Sequence, residues 1–527
     1  MSKLTPELVD NINAYMDEGY SQRAACKSVG VPESTYRSWR DRGKLEEFDK
    51  PIAAGTTVRP HKKRKTLKGK RYVLTSAQNN TYVHDKFLSS LETYCSFNNA
   101  ELIVGTFNYN KNGFQNGANE DIWFDPRIRQ YIMDESANIF EGLVWCGELN
   151  ILPTAVNPIS GLETYTKEDS GIIPHVKVRL QSIATAKHDP CKMMYTTGTV
   201  TKANYIQQKS GQKAEFHHTY GALVAEVDDD GDWFVRQLIA DSSTGEFYDL
   251  TQLATPNGVY DGNRVEAINY GDIHAEKPDE LVSETTFGEG GMLDTLKPLY
   301  QFSNDTSDFT TRNHHNIKDP YFRYKLQVRD EGKDLVEDDI KKAVNVLKSM
   351  SRDWCQTVVV ESNHDLALLK WLKESEPKHD HIWNAIFYHK CQSRVLQAIA
   401  DKDEDFSIFE WCCKELGLDL NVKFLKEDES FVICEERGGG IECGNHGHLG
   451  ANGSRGSVLS YAKLGKRQNI GHGHSATILD SVYMAGIKGS LEQGYNKGAS
   501  SWSHSDIITY KNGKRCIVTL KSGKWRA

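Results

Sequence analysis

VEAINYGDIH, residues 265–274, joins a mainly apolar run to a glycine, an aspartate and a histidine. The first six residues are typical of a β-strand, and Asp272 and His274 stand two apart where that strand becomes a loop. Alternate side chains at a frayed strand end can converge on one ion once the extended pairing stops. The segment therefore predicts a strand that delivers an oxygen ligand and a nitrogen ligand to one edge of a sheet.

Four later segments repeat this arrangement of a strand-like run that leads to oxygen or imidazole groups. They are PLYQF before SNDTSD (Asp305, Asp308), QTVVVE before SNHD (Asn363, His364, Asp365), FVICEE before CGNHGHLGANGSRG (His446, His448), and finally GHGH (His472, His474). Any one motif alone is more often chance, but their joint occurrence in this order is hard to explain that way. Because an open α/β sheet binds ligands at the carboxyl ends of its strands, these residues are predicted to be neighbours in space. Oxygen and imidazole groups without a thiolate favour borderline divalent ions such as manganese over a structural zinc.

The ordered set GDIH, SNDTSD, SNHD, GNHGH and GHGH resembles the calcineurin-like metallophosphoesterases over roughly residues 264–480. The pattern of that family is D-x-H, G-D-x-x-D, G-N-H-D/E, a lone His and G-H-x-H. Two positions depart from it, since Asn304 and Ser362 replace the glycines before Asp305 and Asn363. The resemblance implies an α/β fold (α+β overall) in which a metallophosphoesterase β-sandwich is flanked by helices.

The resemblance also implies two divalent metal ions, manganese first, with magnesium, iron or zinc as alternatives. The implied ligands are Asp272, His274, Asp305 and His474 for one ion, and the shared Asp305 with Asn363, His446 and His472 for the other. The implied catalytic residues are His364, which contacts the scissile phosphate and can protonate the leaving oxygen, and Asp365 beside it. Two such ions can turn a bridging water into hydroxide near neutral pH while they hold the phosphoryl oxygens. His446 is preferred to His448 as the ligand, and that choice stays open at this point.

Three further residues are weaker substrate-binding predictions. Arg455, His448 and His504 lie in stretches rich in small and polar residues that could cover a phosphate chain. An ordinary loop arginine is the alternative for Arg455.

Residues 1–48 read as a small helical module. Thr5 and Ser21 suit helix N-caps, Pro6 suits a first helical position, and PESTYRSWRDRGK begins a third helix after the break at Gly30. This layout resembles the helix-turn-helix modules of phage and transposon proteins. A three-helix packing or oligomerisation module with a solvated basic face is the alternative. The predicted nucleic-acid contacts are Arg37 and Arg40, together with Lys62, Lys63, Arg64 and Lys65.

Residues 49–71 form a basic linker whose cations could replace the counterions of DNA phosphates. A linker that is merely solvated is the alternative. Residues 72–258 form an α/β accessory region, with a β-α-β pattern at its start and an Asp-Gly hairpin near 230. Residues 259–527 form the metallophosphoesterase domain.

Bulk properties narrow the function class. The chain of 527 residues has 38% hydrophobic residues and a net charge of −8, so it can fill cores but has no global attraction to nucleic acid. Eleven scattered cysteines without a C-x-x-C pair predict reduced thiols. No apolar run reaches the length of a membrane helix, and the N-terminus lacks a signal layout, so we expect a cytoplasmic protein without a membrane partner.

The whole layout resembles the pre-early proteins of T-five-like bacteriophages that degrade host DNA. The leading hypothesis is therefore a manganese-dependent DNA nuclease of the host cytoplasm, with DNA as the partner and a homo-oligomer as an open possibility. One alternative is a phosphatase or a phosphodiesterase for small substrates. Another is a DNA-binding regulator that uses a phosphoesterase fold as a scaffold.

Overall fold

The computed structural model describes residues 5–42, 64–109, 122–313, 316, 319–329, 334–436 and 438–527. These residues form 13 α-helices: α1 (Pro6–Asp17), α2 (Gln22–Ser28), α3 (Glu33–Asp41), α4 (Asp85–Asn98), α5 (Lys209–His217), α6 (Glu280–Phe287), α7 (Met292–Leu296), α8 (Pro320–Arg329), α9 (Val336–Met350), α10 (Ala367–Glu374), α11 (Ile382–Ala400), α12 (Ile408–Glu415) and α13 (Val458–Ala462). Short 3-10 helices lie at Pro126–Tyr131, Pro377–His379 and Ala451–Gly453.

The same described residues contain 24 strands. They are β1 (Lys65–Thr66), β2 (Arg71–Gln78), β3 (Glu101–Phe107), β4 (Ser136–Phe140), β5 (Leu143–Cys146), β6 (Ser170–Ile173), β7 (His175–Ile183), β8 (Lys192–Gly198), β9 (Gly221–Val227), β10 (Trp233–Ile239), β11 (Phe247–Asp249), β12 (Gln252–Thr255), β13 (Gly258–Tyr260), β14 (Ala267–Asn269), β15 (Tyr300–Asn304), β16 (Gln356–Val360), β17 (Val422–Leu425), β18 (Val432–Ile433), β19 (Ile441–Glu442), β20 (Gln468–Ile470), β21 (Thr477–Leu479), β22 (Val482–Met484), β23 (Ser505–Thr509) and β24 (Arg515–Thr519). The mixed α/β class predicted from the sequence is confirmed.

The chain divides into two compact units, Met1–Lys63 and Arg64–Ala527. In the first unit, Thr5 and Ser21 cap α1 and α2 as predicted, each accepting a backbone N–H bond of 3.3 Å. The three helices enclose a small core of Val9, Ile12, Ala25, Cys26, Val31 and Tyr36. The side chains of Arg37 and Arg40 on α3 are 58% and 52% exposed, so they can meet a ligand in solvent.

Only residues 64–71 of the basic segment predicted as a linker belong to the described residues. Lys62 and Lys63 lie outside the described residues, whereas Arg64 and Lys65 belong to the second unit. Lys65 is exposed in β1, which pairs in parallel with β4, and Arg64 lies 3.9 Å from Asp169. The prediction of a linker as far as residue 71 is therefore corrected, because edge pairing and then β2 take up its last residues.

The predicted patterns in residues 72–258 are confirmed. Strands β2 and β3 are parallel and joined by α4, and β9 and β10 form an antiparallel hairpin across the Asp-Gly turn. Gly231 in that turn has a φ of +90°, a conformation that favours glycine. These strands form a four-stranded sheet in the order β10-β9-β2-β3, and β11, β12 and β13 form a three-stranded one.

An eleven-stranded sheet crosses the predicted boundary between residues 258 and 259. Its order is β1-β4-β5-β6-β8-β7-β21-β22-β20-β19-β18, in which β7 and β21 are antiparallel neighbours. Strands from both sides of the boundary therefore share one sheet, and the boundary falls inside the second unit.

A six-stranded sheet carries the predicted ligands. Its order is β17-β16-β15-β14-β23-β24, and β14, β15, β16 and β17 are parallel. Val358 and Val360 of β16 pack on one face with Ile433 and Ile441 of the eleven-stranded sheet. Val359 points to the other face, where the core is shared with helices α6, α7, α9, α10, α11 and α12. The parallel strands are therefore buried on both faces, as such strands usually are.

The structure confirms the expectation of reduced cysteines. All 11 cysteines are free thiols, and most of them are buried. None of the described helices combines the length and the apolar character that crossing a membrane requires.

Candidate metal centre

The predicted ligands come together at the carboxyl ends of strands from two sheets. Strands β14, β15 and β16 are followed by the loops that carry Asp272, Asp305 and Asn363. Strands β19 and β20 of the eleven-stranded sheet are followed by those of His446 and His472. The strand that leads to His446 is β19 rather than the predicted FVICEE, of which only Val432–Ile433 is a strand. The expectation that distant motifs would be neighbours in space is borne out.

The backbone at these positions bends sharply. His274, Asp305, His472 and His474 have φ values of 48°, 40°, 67° and 54°, in the left-handed region that side chains other than glycine seldom adopt. Each such residue costs roughly 1 kcal/mol or more, which persists where the surroundings determine the conformation. Gly471 has another reason to be glycine, since a Cβ there would lie 2.4 Å from Asp272 Oδ1.

The first cluster consists of Asp272, His274, Asp305 and His474, all of them buried. One ligand atom from each lies within 4.8 Å of the others. His474 Nε2 is 2.8 Å from Asp272 Oδ2 and 3.2 Å from His274 Nε2, and His274 Nε2 is 3.8 Å from Asp305 Oδ2. These residues are the set predicted for one ion.

The second cluster shares Asp305 and adds His446 and His472. His446 Nε2 is 3.3 Å from Asp305 Oδ2, and the rings of His446 and His472 are 5.2 Å apart. Asn363 lines the same cavity, beside Asp305 and His472. These residues are the set predicted for the other ion, and His446 rather than His448 lies in this cluster.

Several polar atoms of this centre are buried without a hydrogen bond to the described residues. They include Asp305 Oδ1 and Asn363 Oδ1. A buried oxygen or nitrogen acceptor without a donor is costly unless another group satisfies it. The clusters can therefore hold a metal ion, because a cation would satisfy these atoms together.

The protonation of the histidines differs between positions. Burial lowers the pKa of His274 and His446, but the carboxylates facing them outweigh it and raise these pKa values to about 9 and about 8. Burial, followed by the charge of His446, lowers the pKa of His472 to about 4. Burial opposes ionisation of Asp305, yet His446 and His364 hold the pKa of its carboxyl well below its usual range. Metal binding must therefore displace protons from His274 and His446.

A second layer of carboxylates orients the centre. Asp308 Oδ1 lies 3.2 Å from His274 Nδ1 and 3.3 Å from His364 Nδ1. The half-buried Glu276 accepts hydrogen bonds from Ser307 Oγ and from the backbone N–H of Asp308. The sequence motifs placed Asp308 near the predicted ligands but gave it no ligand or catalytic role. They did not identify Glu276, although an acid two residues after a predicted ligand histidine was a usable signal.

The two predicted catalytic residues lie in different surroundings. His364 lines the cavity over the clusters, and its Nδ1 is 2.9 Å from the backbone oxygen of Asp308. Asp365 is buried outside the lining of that cavity and accepts bonds from Ser307 N (3.1 Å) and Ser362 Oγ (2.9 Å). Burial, then the charge of Asp305, raises its pKa to about 7. Asp365 therefore links two loops through these hydrogen bonds.

Two of the weaker substrate-binding predictions do not reach the cavity over the clusters. His448 Nε2 is 3.0 Å from Glu427 Oε1, in a separate cavity of about 190 Å³. His504 contacts the backbone oxygen of Ile487 at 3.0 Å and Asp279 at 3.5 Å. The His448 ring lies 5.4 Å from that of His446, and substrate contact by His448 and His504 stays a prediction.

The cavity over the clusters has a volume of about 620 Å³, large enough for a nucleotide-sized ligand. The exposed Arg455 lines it, as do His364 and the ligand histidines of GHGH. Tyr495 and Trp502 line it too, and sequence reasoning had singled out their stretch but neither residue. The Trp502 ring lies 4.2 Å from that of His474.

No family model matches this chain, and no solved structure matches it. The chain is similar to Protein A1 of Escherichia phage T5, with 45% identity over 496 residues, which cover 92% of this chain and 87% of that protein. Identity at this level over nearly the whole of both chains shows common descent. The chain therefore belongs to the family of Protein A1 of Escherichia phage T5.

Proposed function

We propose that this protein is a phosphodiesterase that cuts DNA with two divalent metal ions, manganese first. The observation that carries the proposal is the pair of buried clusters that share Asp305, with acceptor atoms that no described residue satisfies. Oxygen and imidazole ligands suit manganese and related ions. When bound, two ions supply an activated water and a clamp on the phosphoryl oxygens.

The residues of the chain divide the remaining work. His364 Nδ1 faces the backbone oxygen of Asp308 at 2.9 Å, and because that oxygen only accepts, Nδ1 carries a proton. The Asp308 carboxylate lies 3.3 Å from the same nitrogen, and action as a general acid requires a second proton, on Nε2. His364 can then donate the Nε2 proton to the leaving oxygen. Arg455, on the cavity wall, is placed to pair with a phosphate.

The finer fold assignments also belong to this proposal. The packing of the six-stranded sheet against β18 and β19, with helices on its other face, supports a metallophosphoesterase-like sandwich. The exposed arginines of α3 support a helix-turn-helix role for the first unit. Membership of a phage protein family supports degradation of host DNA in the host cytoplasm.

One experiment tests the reaction. The purified protein is incubated with supercoiled plasmid, linear duplex and a chromogenic phosphodiester, each with magnesium, manganese or zinc. We expect cleavage of DNA that EDTA abolishes and manganese restores. Cleavage of the chromogen alone would favour a phosphodiesterase for small substrates. Tight DNA binding without turnover under any of these ions would favour the regulator.

A second experiment tests the DNA contacts of the first unit. The Arg37→Ala/Arg40→Ala double variant should bind DNA more weakly, and the slope of log affinity against log salt should fall by up to about two. Lys27→Ala, which removes an exposed cation from α2, is the matched control. An unchanged slope in the double variant would leave the helical module with a packing or oligomerisation role.

A further inference from the structure

The segment between β22 and β23 forms one wall of the cavity over the metal clusters. It contributes two aromatic side chains, Tyr495 and Trp502, whose ring centroids are 5.9 Å apart at an angle of 66°. Both residues are half-buried, so part of each ring stays accessible. Metal ligation and proton transfer need no aromatic wall, and neither residue has a part in the reaction proposed above.

This wall is held in place on several sides. Trp502 packs edge-on against the His474 ring, and Ser503 N donates to the His474 backbone oxygen at 3.1 Å. Ser500 and Thr185 exchange two backbone hydrogen bonds of 3.0 Å, so the β7–β8 connection anchors the segment. This gives residues 72–258 a role at the site, since Thr185 belongs to them.

Tyr495 is fixed from the other end of the segment. Lys277 Nζ lies 5.7 Å from the centroid of the Tyr495 ring and 3.0 Å from the backbone oxygen of Gln493. The same Nζ is 3.0 Å from Asp308 Oδ2, so it ties the aromatic wall to the carboxylate that orients His274 and His364. A rigid aromatic surface beside a phosphate site suits a flat ligand group that is covalently joined to that phosphate.

We propose that Tyr495 and Trp502 form a subsite that stacks the base of the nucleotide next to the scissile phosphate. The proposal rests on the proposed phosphodiesterase function and names its substrate class. Every nucleobase has a π-face, so such stacking binds nucleic acid without strong sequence preference. A base inside a duplex is already stacked on its neighbours, so the subsite takes a nucleotide from a single strand, a frayed end or an extruded position.

The test compares two substrates that have the same leaving group, and both are assayed in the presence of manganese. Thymidine 5′-(p-nitrophenyl phosphate) carries a base, whereas methyl p-nitrophenyl phosphate does not. For the unaltered protein, kcat/KM for the thymidine ester should exceed that for the methyl ester by about tenfold or more. In Trp502→Leu and in Tyr495→Leu, this ratio should fall towards one. In Trp502→Phe and Tyr495→Phe, most of the ratio should survive.

The ratio is taken within one protein preparation, so partial unfolding or weaker metal binding affects both substrates and cancels. Trp383→Leu, which removes an exposed tryptophan from α11, should keep the ratio of the unaltered protein. A purely structural role of Trp502 through His474 would slow both esters equally, and that result would overturn the subsite. A ratio near one in the unaltered protein would overturn it as well, while leaving the phosphodiesterase in place. If neither ester turned over with manganese, magnesium or zinc, the proposed function would fail, and the subsite with it.

Discussion

Two of the groups of buried charged side chains in the second unit differ in how their polar atoms are satisfied. Around Arg236, the guanidinium donates to Glu226 at 2.5 Å and to Asp249 at 2.7 Å, and Tyr94 also donates to Asp249 at 2.6 Å. Arg71 completes the group with a 2.7 Å ion pair to Glu226. The clusters around Asp305 are also largely buried but leave oxygen atoms such as Asp305 Oδ1 and Asn363 Oδ1 without a hydrogen bond to the described residues.

The difference separates a structural use of buried charge from a binding use. A buried charge costs several kcal/mol unless its partners compensate it. The cost is lower when more of its polar atoms have a partner. The Arg236 group is matched by its own side chains and needs no ligand. In the Asp305 clusters, only some of the polar atoms have a partner, so the stability of the clusters depends on the ligand that binds there. Substitutions in the Asp305 clusters should therefore lower activity more than stability, and substitutions in the Arg236 group should do the reverse.

The largest effect is expected for Asp305→Asn, which weakens both clusters at once. Turnover on DNA should fall by at least about 10³-fold, because metal activation supplies several kcal/mol of the rate enhancement. The variant should keep its circular dichroism spectrum but lose any rise in melting temperature with manganese. Asp338→Asn on α9 is the control. Full nuclease activity in the Asp305→Asn protein would contradict the shared-ligand assignment.

Arg236→Met should show the reverse signature. It leaves Glu226 and Asp249 buried without their cation, so the free energy of unfolding should fall by about 3 to 5 kcal/mol, while turnover per folded molecule stays the same. Urea midpoints give the first quantity, and activity normalised to folded protein gives the second. Adding Glu226→Gln and Asp249→Asn to the same chain should restore part of the loss. A loss of turnover larger than the loss of folded protein would mean that the Arg236 group communicates with the site.

The metal should stabilise the protein in a pH-dependent way. At a manganese concentration about 100 times its Kd, the gain should be about 2.7 kcal/mol. In the metal-free protein, His274 and His446 have pKa values raised from 6.5 to about 9 and about 8, so their contribution to stability is full below pH 6.5 and is lost as the pH rises through 8 to 9. Metal binding needs the neutral rings, so the melting temperatures with manganese and with EDTA should diverge as the pH rises from 6.5 to 9. A difference that shrinks over this range would exclude these histidines as ligands.

The ligand set could be predicted from sequence because each motif is local. Asp272 with His274, and His472 with His474, each lie within three residues at the end of a strand-like run. The order of such runs was enough to predict that these residues would be neighbours in space, but not that their strands would belong to two sheets. For Asp365, the motif gives the residue type but not the direction of the side chain. Its neighbours Ser307 and Ser362, which fix that direction, come from different loops.

Long-range pairing explains the other differences. Ser182 Oγ donates to the backbone oxygen of Ala476 although the two residues are 294 positions apart. No local sequence pattern predicts such a distant pairing. The sequence therefore suggested a domain boundary at 258/259, whereas the eleven-stranded sheet contains strands from both sides of it. The aromatic wall was missed for the same reason, since Trp502 reaches the site only through its packing on His474 and the pairing of its segment with Thr185.

A smaller effect is expected for Asp308→Asn, which tests a carboxylate beside the two clusters rather than one within them. Asp308 contacts both His274 and His364, so loss of its charge should lower activity or metal affinity by about 10- to 100-fold. If Asp308 acts by orienting His364, the loss should be greater for substrates with poor leaving groups, which need the proton more. Equal losses for good and poor leaving groups would mean that Asp308 acts only by orienting His274.

The smallest effect is expected for Arg455→Ala, and it brings the comparison down to two arginines. Arg236 is buried and fully paired, whereas Arg455 is exposed on the cavity wall and forms no ion pair with the described residues. An exposed guanidinium that meets a phosphate gains little in high dielectric, so KM for DNA should rise only about threefold at low salt. The slope of log affinity against log salt should fall by about one, as for the loss of a single phosphate contact. Lys373→Ala, an exposed cation at the end of α10, is the control for general charge. An equal change in both variants would mean that Arg455 contributes net charge rather than a contact, because a contact depends on its place beside the clusters.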